Sequence, residues 1–324
     1  MRKTLQAFCI AALAVMGTSA ATAADYPSDT VKLVVPFPPG GPTDGMARQI
    51  AKYLGENLDT PVIVENRGGA GGNIGSQHVA AADPDGYTLL FGTSGPLAIN
   101  VSLYTDINYD PRTSFEPIVR IGHLPNILVV NPDLPANDLG EFIDYAKDNP
   151  GTLAYGSSGN GASSHLAGIM FNRLAGTDVL HIPYKGTGPA LIDLIAGRTD
   201  MTFTDVMTAK PHIEDGSLRP IGVTTNARSA SLPEVATLDE QGLEDYDVSV
   251  FFGIVGPEGM DAEVVDILNA AFIEVLEHEE VSGLLTQQGI VAAEDRSPAG
   301  LMAFINTEVD KWAEIIQAEN VALD

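Results

Sequence analysis

Three short polar loops hold most of the residues that could do chemistry. The longest runs Ser157-Ser158-Gly159-Asn160-Gly161-Ala162-Ser163-Ser164-His165, and the others are Phe37–Asp44, with Gly41, Thr43 and Asp44, and Thr93-Ser94. Serines beside a histidine suggest a nucleophile, and a secreted serine hydrolase would use Ser158 or Ser164 with His165. A nucleophile elbow needs Gly-x-Ser-x-Gly, and the residue two after Ser158 is Asn160. Ser164 and His165 are adjacent at a helix start, so their side chains point in different directions. The simpler chemistry is not catalytic. Hydroxyls and unpaired backbone N–H groups at a helix N-terminus make a neutral pocket for an anion. No residue is assigned a catalytic role.

Other motifs fall short of a cofactor or metal site. Gly68–Gly75 (GGAGGNIG) would need glycine at Ile74 to fit Gly-x-Gly-x-x-Gly, and Lys185 follows Tyr184, so no P-loop exists. The run reads as a tight strand-to-helix turn. His78, His123, His165, His181, His212 and His278 show no metal-ligand spacing. No cofactor and no metal is expected. Asp205 sits at the end of a short apolar run, where it either receives a ligand amine or hydroxyl or caps the next helix.

Strands must hold these loops. Short apolar runs bounded by breakers predict strands over Lys32–Phe37, Val62–Glu65, Tyr87–Phe91, Ile127–Val130, Leu153–Tyr155, Leu180–Pro183, Met201–Phe203 and Ile221–Thr224. Helical spacing lies between them, as in Met46, Ile50, Tyr53, Leu54 and Leu58, in Leu139–Lys147 and in His165–Leu174. It continues in the tail from Val264 to Ile316. The alternation predicts α/β units with mostly parallel sheets. All three polar loops follow strands, and ligands of open α/β sheets bind at the carboxyl ends of strands.

The chain has 324 residues, 17 Lys+Arg against 43 Asp+Glu, and a formal net charge of −26. That sign excludes a nucleic-acid surface and disfavours an anionic membrane. With 44% hydrophobic residues, the chain has ample material for a core, and its length suggests two lobes of about 150 residues. Residues 1–23 read as an export signal: Arg2-Lys3, an apolar stretch from Leu5 to Met16, and cleavage after Ala21-Thr22-Ala23. The stretch is shorter than the roughly 20 residues of a membrane span. Cleavage would remove Cys9, the one cysteine, and deepen the net charge to −28. The expected location is the periplasm.

Five stretches, in the same order, resemble the receptors of tripartite tricarboxylate transporters, also called Bug receptors. They are VVPFPPGGPTDGMAR (Val34–Arg48), VENRGGAGGNIG (Val64–Gly75), DPDGYTLLFGTSG (Asp83–Gly95), YGSSGNGASSHLAG (Tyr155–Gly168) and HIPYKGTGPAL (His181–Leu191). The resemblance implies a bilobal class II periplasmic-binding-protein fold with two α/β lobes and a ligand cleft between them. Residues 24–124 plus 235–324 would form the first lobe and 125–234 the second. It implies a small carboxylate ligand: a dicarboxylate, tricarboxylate, aromatic acid or acidic amino acid. The partners would be a large and a small integral-membrane permease subunit, or in some relatives a sensor kinase. A monomer is expected. Phe37, Gly41, Thr43, Asp44, Thr93 and Ser94 would hold ligand from the first lobe. Ser157, Asn160, Ser163, Ser164 and His165 would close from the second. Asp205 stands where amino-acid-binding relatives hold an amine. Many relatives have a tryptophan before the Phe-Gly of Val250-Phe251-Phe252-Gly253, which bears on the cleft wall or a crossover.

Overall fold

The computed structural model describes residues 26–318 and 321; the expected export signal, its cleavage site and Cys9 lie outside the described residues. Strand β1 (Val31–Val35) is buried except at Lys32, as a central parallel strand must be. It pairs in parallel with β2 (Val62–Asn66) and β3 (Thr88–Thr93). Helices α1 (Pro42–Asn57) and α2 (Asn73–Ala80) connect them. After β3 the chain makes a wide helical turn, Gly95–Ile99, that runs into α3 (Asn100–Leu103).

Strand β4 (Phe115–Val130) is long enough to serve two sheets. Its first part, Phe115–Pro125, pairs antiparallel with β9 (Ser249–Pro257), which pairs in turn with β3. Its last part, Asn126–Val130, lies between β7 (Met201–Asp205) and β8 (Arg219–Val223). In the second lobe β7 pairs in parallel with β5 (Ala154–Ser157), and β5 with β6 (Leu180–Pro183). Helices α4 (Leu139–Asp148), α5 (Ser163–Ala175), α6 (Thr187–Ile195) and α7 (Val206–Glu214) belong to this lobe. The first lobe is completed by α8 (Ala262–Glu277), α9 (Glu279–Gln287), the short β10 (Val291–Ala292) against β4, and α10 (Pro298–Ala318).

The parallel expectation holds within each lobe's βα units but not at the centre, where β4 and β9 are antiparallel to their neighbours. Only Ile127–Val130 of β4 is legible in the sequence. Pro117, Arg120, His123 and Pro125 interrupt its apolar pattern, and the register with β9 shifts twice.

The two lobes meet at a laced crossing. The Thr224 amide donates to the Asn126 carbonyl (2.9 Å), and the Val248 amide donates to the Thr224 carbonyl (2.8 Å). The Thr224 side chain is fully buried. Its hydroxyl lies 2.6 Å from the Val248 carbonyl and 2.9 Å from that of Asn126, donating to one at a time. Residues 235–248, expected in the first lobe, pack on the second. The Leu238 amide donates to the Val223 carbonyl, the Tyr246 hydroxyl donates to the Ala167 carbonyl (2.7 Å), and Tyr246 stacks on Phe203. The return crossing is therefore at Val248–Ser249. The Pro233 turn, which suggested an earlier return, is a loop within the second lobe.

Two substitutions test this packing. Thr224→Val keeps the shape but strips the Val248 carbonyl of its donor, and is expected to lower unfolding free energy by about 1–3 kcal/mol. Gly168, inside α5, lies against buried Tyr155, and a Cβ there would come 2.2 Å from the ring. Helix propensity favours alanine by about 1 kcal/mol, but overpacking costs about 1–3 kcal/mol. Gly168→Ala is thus expected to destabilise, whereas Gly283→Ala in α9, with nothing within 4 Å, is expected to stabilise. Denaturant melts of both variants decide it.

Candidate functional site

Four βα connections open onto one cleft between the lobes. It has two adjoining chambers, of about 510 Å³ and 300 Å³, that share Phe37, Thr93 and Val250 as common wall. The larger is walled by Phe37, Met46, Leu124, Met207 and Phe252, with Thr43, Asp205 and Thr208 at its polar side. The smaller is lined by Ser94, Tyr104, Asn160, Gly161 and Ser163, among others. Among the described residues, no Lys, Arg or His lines either chamber.

The expected site residues divide into two groups. Thr43, Thr93, Asn160 and Ser163 line the cleft, and their polar side-chain atoms make no hydrogen bond within the described protein. Phe37 supplies an apolar wall to both chambers. The second group holds the loops in shape. Asp44 is buried and accepts from the Gly40 amide (2.9 Å), Arg48 (2.9 Å) and Asn66 (2.8 Å). The Arg48 hydrogen bond, with the Gly40 amide, holds its carboxyl down at about 2. Asp44 thus cross-braces the Phe37–Asp44 loop and is not among the cleft-lining residues. Gly41 is likewise not among them; it precedes α1 and accepts the Gly45 amide (3.0 Å).

Ser94 reaches the smaller chamber but spends its oxygen on the Phe251 amide (2.8 Å), tying β3 to β9. Ser157, fully buried, lies 2.6 Å from His181 Nε2. Ser164 accepts the Ser158 amide (2.9 Å) and bonds the Ser158 hydroxyl (3.0 Å). His165 Nδ1 accepts the Gly161 amide (3.0 Å), and its ring stacks on His181 at 3.9 Å. Burial pushes both imidazoles down to about 4, with His181 adding to the depression at His165. These residues brace the binding loop from behind. The hydrolase geometry is absent: Ser158 and Ser164 bond each other and His165 bonds backbone. Among the described residues two serines meet a histidine: Ser157, fully buried, lies 2.6 Å from His181, and Ser217 lies 3.4 Å from His212, which lines neither chamber.

Helix ends supply the electrostatics. The N-termini at Gly41, Ser94 and Ala162, leading into α1, the wide turn and α5, have no side-chain cap. Away from the cleft, Asp138 caps α4 and Asp261 caps α8, while α2 and α6 start at Gly72 and Gly186 without a side-chain cap. Unpaired N–H groups and the positive end of the helix dipole therefore face the cleft from both lobes. Asp205 is the exception. It caps α7, accepting the Thr208 amide (2.8 Å) and hydroxyl (2.6 Å), and still faces the larger chamber.

Several lining residues carry no sequence signal of their own. Tyr104 follows α3 and presents its hydroxyl to the smaller chamber. Gly71 meets it there in a left-handed conformation, where a Cβ would come 2.7 Å from the tyrosine oxygen. The Gly68–Gly75 run is thus a tight turn whose tip also reaches the cleft. Met207, Gln287 and Gln288 enter from α7 and the end of α9. Val250 and Phe252, in the segment that departs from the common pattern, stand in the cleft wall beside the crossover.

The family model for the tripartite tricarboxylate transporter family receptor matches residues 46–321. The chain is 35% identical over 316 residues to Protein BugT of Bordetella pertussis, covering 96% of each. Among solved structures it is similar to Rpa4515 of R. palustris with adipate (34% identity, TM-score 0.79, 92% of this chain and all of that one). It is also similar to MatC of Rhodopseudomonas palustris with bound malate (32%, TM-score 0.76, 90% of this chain and all of that one). It is similar as well to a periplasmic binding protein, BugD (36%, TM-score 0.76, 92% of this chain and all of that one), and the three solved structures share the bilobal α/β fold described above. The match spans most of the chain and nearly all of its relatives, and the chain belongs to the tripartite tricarboxylate transporter receptor family.

Proposed function

We propose that this protein is a periplasmic receptor that captures a small carboxylate in the interlobe cleft and delivers it to a two-subunit membrane permease. The observation that carries the reading is the convergence of uncapped helix N-termini and free hydroxyl or amide groups from both lobes. The ligand takes the place of the missing caps. A carboxylate held this way needs no buried arginine, whose desolvation would offset much of the gain. Binding groups on both lobes favour the closed state by the ligand's differential affinity for it. Adipate and malate in two similar structures support the ligand class. Asp205 directs the negative end of a ligand toward the α1 and α5 ends and away from α7.

Calorimetry with a carboxylate panel that includes adipate and malate is expected to find at least one ligand at micromolar Kd, about −8 kcal/mol. No heat from any member would overturn the reading. Thr43→Trp and Ser163→Trp fill the two chambers and are expected to abolish binding with thermal midpoints unchanged; unaltered affinity in both would move the site elsewhere. The histidine brace sets a pH limit. Its folded-state values lie near 4 against the usual 6.5, so the unfolded chain binds more protons below pH 6.5. Stability is fully present above about pH 6.5 and is lost as pH falls toward 4. The thermal midpoint of the unliganded protein is expected to drop across that window, and less steeply in His165→Asn. An identical slope in the variant would remove His165 from the brace.

A further inference from the structure

The crossing strands have a second cavity behind them. On β4, Leu124 lines the ligand cleft, whereas His123 and Pro125 line a separate cavity of about 440 Å³. On β9, Val250 and Phe252 face the cleft and Ser249 the other cavity. Side chains alternate across a strand, so the two cavities lie on opposite sides of one wall. The rear cavity is closed by Thr225, Asn226 and Asp247 of the second lobe and by α10.

Arg120 projects into it. Its guanidinium carbon lies 3.4 Å from the centroid of the Phe304 ring. Its Nε is buried without a hydrogen-bond partner, and Arg120 joins none of the ion pairs among the described residues. Glu308, Asp247 and Asp295 act on its charge from a distance. Glu308 is committed to Lys311 and Trp312, and Asp295 accepts the Ser297 amide. Asp247 engages the protein through its main-chain carbonyl, which accepts Lys311 Nζ, and its carboxylate is free among the described residues. A guanidinium from the first lobe and a carboxylate from the second thus face the same space, neither with an ion-pair partner among the described residues. Four carboxylates, Asp247, Glu294, Asp295 and Glu308, and two guanidiniums, Arg120 and the Glu240-paired Arg228, line it, so a lone anion would meet the carboxylates and a lone cation the guanidiniums. A molecule with both charges satisfies both.

We propose that this rear cavity is a second binding site, for a small zwitterion of the amino-acid or betaine class. Its carboxylate lies on Arg120 and its cationic end toward Asp247. Because Arg120 and Asp247 stand on opposite sides of the crossing, the bound molecule bridges the lobes and biases their angle. By linkage, it also biases ligand affinity in the cleft.

The test uses the mature protein, with glycine and glycine betaine as probes and acetate and methylammonium as single-charge controls. Calorimetry is expected to show saturable binding of at least one zwitterion, with each control at least tenfold weaker. Binding must persist in the Thr43→Trp/Ser163→Trp double variant, both of whose chambers are filled, and fall at least tenfold in Arg120→Met and in Asp247→Asn. Methionine keeps the stack on Phe304 and removes an unpaired charge, so the thermal midpoint of the ligand-free Arg120→Met protein is expected to hold or rise. Small-angle scattering of that double variant is expected to change when glycine betaine or glycine saturates it. Any of five results overturns the proposal: no saturable zwitterion binding, binding lost in the double variant, binding retained in Arg120→Met, binding retained in Asp247→Asn, or unchanged scattering at saturation.

Discussion

Thr224 binds together three chain segments that otherwise have no reason to stay in register. Its amide, carbonyl and hydroxyl all engage the Asn126 and Val248 backbone at the point where the chain passes between lobes. This crossing fixes which side chains of β4 and β9 face the cleft. A slip of one residue would exchange Leu124 for His123 and turn the apolar wall inside out. The cleft, the lobe boundary and the cavity behind it all follow from that one register.

The cleft's chemistry rests on a choice about how to stabilise a negative charge. An arginine would need its own solvation stripped and a countercharge when the cleft is empty. Helix ends need neither, because their N–H groups are exposed to water until a ligand arrives and the dipole is present throughout. The strongly acidic surface, with net charge −26, makes this more consequential. On the proposed function, long-range repulsion of an anionic ligand is screened over about 8 Å at physiological salt, leaving the helix ends to act at short range.

The loops were legible in the sequence because they follow apolar runs and break into Gly, Ser, Thr and Pro. That was enough to pick out Thr43, Thr93, Asn160 and Ser163, which line the cleft. It was not enough to separate them from Asp44, Ser157, Ser164 and His165. Those four have the same residue types in the same loops, and only the direction of each side chain decides whether it meets ligand or backbone. Asp205 combines both sequence readings in part: it caps α7 and also faces the cleft. The central strands were less legible. β4 carries Pro117, Arg120, His123 and Pro125, and a strand that changes sheets midway has no single alternating pattern to read. The return to the first lobe was misplaced because residues 235–248 form loop structure, whose allegiance is set by the burial of Leu238 and Tyr246.

On the proposed function, the groups that would hold charge and the groups that would set shape are different sets of positions. The first are backbone amides and small hydroxyls, and an amide belongs to every residue except proline. The second are the walls formed by Met46, Leu124, Met207, Val250 and Phe252. Substitutions at the wall positions would therefore change which ligand shape fits without touching the helix ends, the net charge or the lobe crossing.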